Sequence, residues 1–92
     1  MNHFLVHGKE DSVGVVVTDV KAGESVTGWN MESGEDIQIA ALSDIPLGHK
    51  IALADVPAGG LIVKYGHPIG KVVQAIKRGE HVHVHNLKTR RW

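Results

Sequence analysis

Ile45-Pro46-Leu47-Gly48-His49-Lys50-Ile51 runs from an apolar anchor through two turn residues and a glycine back to an apolar residue. The same order recurs in Val20-Lys21-Ala22-Gly23-Glu24-Ser25-Val26, in Val56-Pro57-Ala58-Gly59-Gly60-Leu61-Ile62 and in Ile76-Lys77-Arg78-Gly79-Glu80-His81-Val82. Glycine takes a positive φ without steric cost, so each copy reads as a tight turn that returns the chain into a strand. The copies are unevenly spaced, which excludes a solenoid.

Working outward, β-branched and alternating runs mark strands at 3–7, 12–20, 35–42, 51–53, 61–65, 70–76 and 81–87. Ile69, Val72, Val73 and Ile76 also fit the i, i+3, i+4, i+7 helix template, but the preceding His67-Pro68, Gly70 and the valines favour a strand. Single helical turns fit at 44–48 and 53–59, where Pro46 and Pro57 fix φ and glycines follow. The expected fold is mostly β, with at most short helical turns.

At 92 residues the chain is one domain, 1–92, with no room for a second core. Ten basic and ten acidic side chains cancel, so no large field advertises nucleic acid or an anionic membrane as partner. Lys88, Arg90 and Arg91 form a local basic tail, read as a solvated terminus. The absence of cysteine excludes disulfides, thiolate ligation and thiol nucleophiles. No apolar run approaches a membrane span and the start lacks a signal-peptide pattern, so the expected location is the cytoplasm.

In Gly79-Glu80-His81-Val82-His83-Val84-His85-Asn86-Leu87 the strand period sets His81, His83 and His85 on one face and Val82 and Val84 on the other. A row of imidazoles suggests metal, anion or proton chemistry. Alternate strand residues lie roughly 6.5 Å apart, against metal–imidazole bonds of about 2.0–2.1 Å, so two neighbours can share one ion but three on a regular strand cannot. Other ligands must come from elsewhere.

Three motifs in order, Asp44-Ile-Pro-Leu-Gly-His-Lys-Ile-Ala-Leu53, Lys64-Tyr-Gly-His-Pro-Ile-Gly70 and Gly79-Glu-His-Val-His-Val-His-Asn-Leu87, resemble the small domain of the altronate and galactarate dehydratase family. The resemblance extends over nearly the whole chain and implies an SAF-type domain with a β-clip fold. Because the chain stops soon after the His-Asn-Leu motif, it resembles a free-standing small subunit. It is expected to work with a large catalytic subunit, with self-association of the small chain left open.

The family's chemistry is β-elimination from a small anionic 2-hydroxy acid. The opening His3–His7 and the ending Asn86–Trp92 resemble those of the family's sulfolactate-cleaving branch, which implies release of sulfite from (2R)-sulfolactate, with loss of water from altronate or galactarate as the alternative. A non-catalytic module that binds a sugar acid is the second alternative. The resemblance also implies a divalent metal, iron or manganese, shared with the large subunit, for which His81, His83 and His85 are the candidate ligands. His49 and Lys50, at a turn where loop residues can reach a ligand, are the candidate catalytic residues, His49 as acid or base and Lys50 on a substrate carboxylate. Lys50, Lys64, Tyr65 and Asn86 are the candidate substrate-binding residues. Neither a carboxylate pair nor a Ser/His/Asp order can be assembled, so the domain is expected to be inactive alone.

Overall fold

A computed structural model describes residues 2–8, 11–64, 67–82 and 87–89. Among them the chain forms β1 (Phe4–Val6), β2 (Val13–Val16), β3 (Ser25–Asn30), β4 (Asp36–Ala40), β5 (Lys50–Ala52), β6 (Leu61–Lys64), β7 (His67–Val72), β8 (His81–Val82) and β9 (Leu87–Thr89), and no helix. One sheet has the order β4-β3-β1-β2-β5-β8 and the other the order β6-β7-β9. The β1–β3 pair is parallel and the other pairs are antiparallel. The mostly β expectation holds.

The single helical turns allowed at 44–48 and 53–59 are tight turns instead. Gly23, Gly48, Gly59 and Gly79 have φ of 91°, 87°, 90° and 91°, and in each turn the residue after the glycine donates its N–H to the carbonyl of the residue three before its own position. That is a type II turn, whose third position needs positive φ. The apolar anchors join the turns in two pairs, Val20 bridging Ile45 and Val56 bridging Ile76. Each turn is then held against another segment, its glycine N–H donating to Ala41, Val16, Val72 or Ala52 respectively.

β2 and β5 are buried on both faces, which is why Val13-Gly14-Val15-Val16 and Ile51-Ala52 read as apolar runs without alternation. Phe4, Val6, Val16, Val26, Ile39, Ala41, Ile51 and the anchors Val20 and Ile45 fill one core. Val13, Ala52 and Val82 turn the other way and meet Ile62, Val72 and Ile76 in a second core. The two edges of the large sheet approach each other. Gly79, in the turn leading to β8, accepts a hydrogen bond from the Leu42 N–H just beyond β4, and the Arg78 guanidinium donates to the Gln38 carbonyl within β4.

Two details differ from the sequence expectation. β3 was not among the expected strands because Gly28 breaks its apolar alternation, yet a Cβ at Gly28 would overlap the Phe4 ring. The missing side chain is the space that the chain's one phenylalanine occupies. Of the single strand expected over 81–87, residues 83–86 lie outside the described residues, and its two ends belong to different sheets: β8 pairs with β5 in the large sheet and β9 with β7 in the small one. The helix-like period through Ile76 has a simpler origin too: β7 ends at Val72, Val73 is exposed and Ile76 is the anchor that bridges Val56.

Candidate functional site

β5 and β8 pair with Ile51 opposite His81 and Lys50 opposite Val82. His49 lies two residues before Ile51, so it shares a face with His81 as its diagonal neighbour across the two strands. Nδ1 of His49 and Nε2 of His81 stand 2.8 Å apart, with ring centroids 5.0 Å apart and ring planes tilted by 40°. One imidazole donates and the other accepts, so the contact needs at least one neutral ring.

Both rings are held by the turns that precede them. Gly48 N–H donates to the Val16 carbonyl and Val16 N–H donates to the His49 carbonyl, at 2.8 and 2.9 Å. Gly79 N–H donates to the Ala52 carbonyl and Ala52 N–H to the Glu80 carbonyl, both at 2.9 Å. Two copies of one turn thus deliver the two histidines to one place. Both side chains are half-buried.

His81 lines a groove of about 320 Å³ together with Asp19, Val20, Lys21, Asp44, Ile45 and Pro46. Its two carboxylates are reciprocal caps: Asp19 Oδ1 accepts from Leu47 N–H at 2.9 Å, and Asp44 Oδ1 accepts from Ala22 N–H at 2.8 Å. Lys21 adds a cation to the lining. Sequence reasoning passed over Asp19, Lys21 and Asp44. The signal that marks the aspartates is their place directly before an anchor, in Asp19-Val20 and Asp44-Ile45, repeated in Asp55-Val56.

The expected site residues fall into separate groups. His49 and His81 meet. Lys50, next in sequence to His49, alternates to the other face of β5, in register with Val15 on β2 and Val82 on β8. Lys64 ends β6 opposite His67. Tyr65, His83, His85 and Asn86 lie outside the described residues. Among the described residues no three histidine or carboxylate side chains gather as a metal site.

Of the other histidines, His3 accepts the Thr27 N–H through Nδ1 at 3.0 Å, a tie between the chain start and β3. His7 lines a second groove, of about 280 Å³, with Asp11, Met31 and the aliphatic side chains of Leu5, Val13, Val15 and Val17. Among the described residues no helix is long and apolar enough to cross a membrane.

Residues 2–90 match the profile of the altronate/galactarate dehydratase SAF domain. The chain is 49% identical over 90 residues to the (2R)-sulfolactate sulfo-lyase subunit alpha of Chromohalobacter salexigens, spanning 97% of this chain and 96% of that one. It is 49% identical over 57 residues to the protein of the same name from Paracoccus pantotrophus, spanning 62% of this chain and 85% of that one. With the altronate dehydratase of Bacillus subtilis it shares 40% identity over 89 residues, 97% of this chain but only 17% of the relative. The match over residues 2–90 and these identities lead to one assignment: the chain belongs to the altronate/galactarate dehydratase SAF-domain family.

Proposed function

We propose that this chain is the alpha subunit of a (2R)-sulfolactate sulfo-lyase, the small component of a carbon–sulfur lyase whose large subunit supplies most of the active site. The observation that carries the reading is 49% identity along 97% of this chain and 96% of the Chromohalobacter salexigens subunit. The dehydratase alternative draws on a relative of which this chain spans 17%.

In the reaction the carbon bearing the hydroxyl loses its proton while the neighbouring carbon–sulfur bond breaks and sulfite departs. The enol left behind becomes a 2-oxo acid. Charge develops on the carboxylate as the proton leaves, so the site needs fixed positive charge there. Lys21 in the groove beside His81 is suited to an anionic end of the substrate. Lys50 serves the substrate only from the opposite face of β5, with Lys64, Tyr65 and Asn86 as further binding residues.

A divalent iron or manganese ion is the cofactor we assign, held by two neighbours of the row, His83 with His85 or His81 with His83, and completed by groups of the large subunit. Imidazole nitrogens suit iron, and His81 lines the groove. When bound, the ion supplies positive charge to the substrate carboxylate.

The test is reconstitution. The purified chain alone releases no sulfite from (2R)-sulfolactate, and mixing it with its cognate large subunit yields turnover. Turnover of altronate or galactarate with none of sulfolactate moves the chain to the dehydratase branch. Binding of a sugar acid by the complex with no turnover of any of the three makes it a binding module.

A further inference from the structure

We infer that His49 is a positioning residue: it holds the His81 ring through Nε2, so that His81 acts in the groove through the lone pair of Nδ1. The inference deepens the lyase reading and rests on it for the reaction, although the ring contact can be read without any turnover. It also moves His49 from the acid or base suggested by its turn to a place one step behind the reacting groups.

The geometry carries it. Nδ1 of His49 and Nε2 of His81 are 2.8 Å apart, and the ring centroids are 5.0 Å apart. The second distance is nearly the first plus the two ring radii, so the line joining the nitrogens runs almost through both ring centres. An imidazole N–H and an imidazole lone pair each point outward along that line, which makes the contact a nearly linear N–H···N hydrogen bond. Among the described residues, His81 lines the groove and His49 does not. His49 therefore reaches the groove through His81.

Both rings are set by their backbones. The His49 carbonyl accepts from Val16 and its N–H donates to the Pro46 carbonyl, while His81 is in register with Ile51. The bond thus spans two paired strands, and half-burial of both rings limits competition from water. A hydrogen bond at one ring nitrogen decides what the other can do. Neutral histidine in water favours the proton on Nε2, and with both rings in that form His81 Nε2–H donates to Nδ1 of His49, so neither ring needs its less common form. His81 then carries a lone pair on Nδ1, on the ring edge turned away from His49. That electron pair is the one through which an imidazole takes a proton or binds an ion, so either role of His81 in the lyase depends on His49.

The full chain, with ¹⁵N-labelled histidine, is examined by NMR at a pH where both rings are neutral. The expected result is a coupling across the hydrogen bond between His81 Nε2 and His49 Nδ1, with the proton on His81 Nε2. His49→Leu, of similar reach but without a polar atom, leaves His81 a mixture of its two neutral forms, whereas His49→Asn, whose Oδ1 stands where Nδ1 stood, keeps it in one. In the complex with the large subunit, His49→Leu lowers the kcat of sulfite release roughly tenfold or more with KM little changed, and His49→Asn keeps most of the turnover that His49→Leu loses. Amide spectra report whether each variant keeps its fold. Absence of the coupling, or His81 ring signals unaltered in folded His49→Leu, overturns the inference. So does full turnover by His49→Leu, or an equal loss in both variants, which would make His49 itself the acid or base. A wild-type complex that releases no sulfite rejects the lyase reading alone, and the His81 signals of the two variants still decide the positioning role.

Discussion

The first turn pair, around the Val20–Ile45 bridge, and the second, around the Val56–Ile76 bridge, use one backbone device for different ends. In each pair one turn starts with lysine and the other with proline. Lys21 and Lys77 have N–H groups to satisfy, and Glu24 and Glu80 accept them through Oε1, each at 2.6 Å. Pro46 and Pro57 have no N–H. The residue closing each proline turn is thus released from that duty, and the slot holds His49 in the first pair and Gly60 in the second. Only the first pair uses this freedom to place a functional side chain.

The largest break in the comparison is at Gly79. It shares its φ with Gly23, but a Cβ on Gly79 would collide with the Ala40 carbonyl oxygen, whereas nothing lies within 4 Å of a Cβ on Gly23. Gly79→Ala combines a positive-φ penalty with overpacking against backbone, for an expected loss of about 3–4 kcal/mol. Gly23→Ala meets only the φ penalty, about 1 kcal/mol. Urea unfolding of both variants measures the gap. Equal losses would mean that the turn before β8 does not close against β4.

The caps come next. Asp19→Ala and Asp44→Ala each remove one carboxylate–amide bond across the first pair and should cost about 1 kcal/mol apiece. Because each carboxylate holds the turn that follows the other, the double variant should lose less than the sum of the two single losses, a coupling of about 0.5 kcal/mol. Strict additivity would show that the turns are held independently. In the second pair Asp55 accepts the Arg78 N–H at 2.8 Å, and Asp55→Ala should cost a similar amount.

These turns were the most legible part of the sequence, because four glycines stand at the same offset from an apolar anchor. The uninterrupted strands were legible for the same local reason. β3 was not, since Gly28 hides a buried position whose meaning depends on Phe4, far away in sequence. The site was half legible. His49 and His81 each stood out, but their contact follows from the register of β5 on β8, and nothing local encodes which of two faces a residue after a turn will take. The same alternation that joins them turns Lys50 away. The caps needed a comparison between copies: Asp19, Asp44 and Asp55 occupy equivalent positions, and any one alone reads as a surface charge.

The smallest effect sharpens the comparison most. Before the fourth anchor, Ile76, stands Ala75, where the other three copies have aspartate. By the correspondence of the copies, a carboxylate at 75 would reach the Ala58 N–H just as Asp44 reaches the Ala22 N–H and Asp55 reaches the Arg78 N–H. Ala75 is exposed, so the substitution brings no buried charge. Ala75→Asp should therefore stabilise the domain by about 0.5 kcal/mol, less than the loss at Asp44 because the Ala58 amide exchanges a water partner for the new one. Urea unfolding measures the gain, and slowed hydrogen exchange at the Ala58 amide locates it. A gain in stability without protection at Ala58 would refute the equivalence of the two pairs, since the carboxylate would then be acting somewhere other than on the opposite turn.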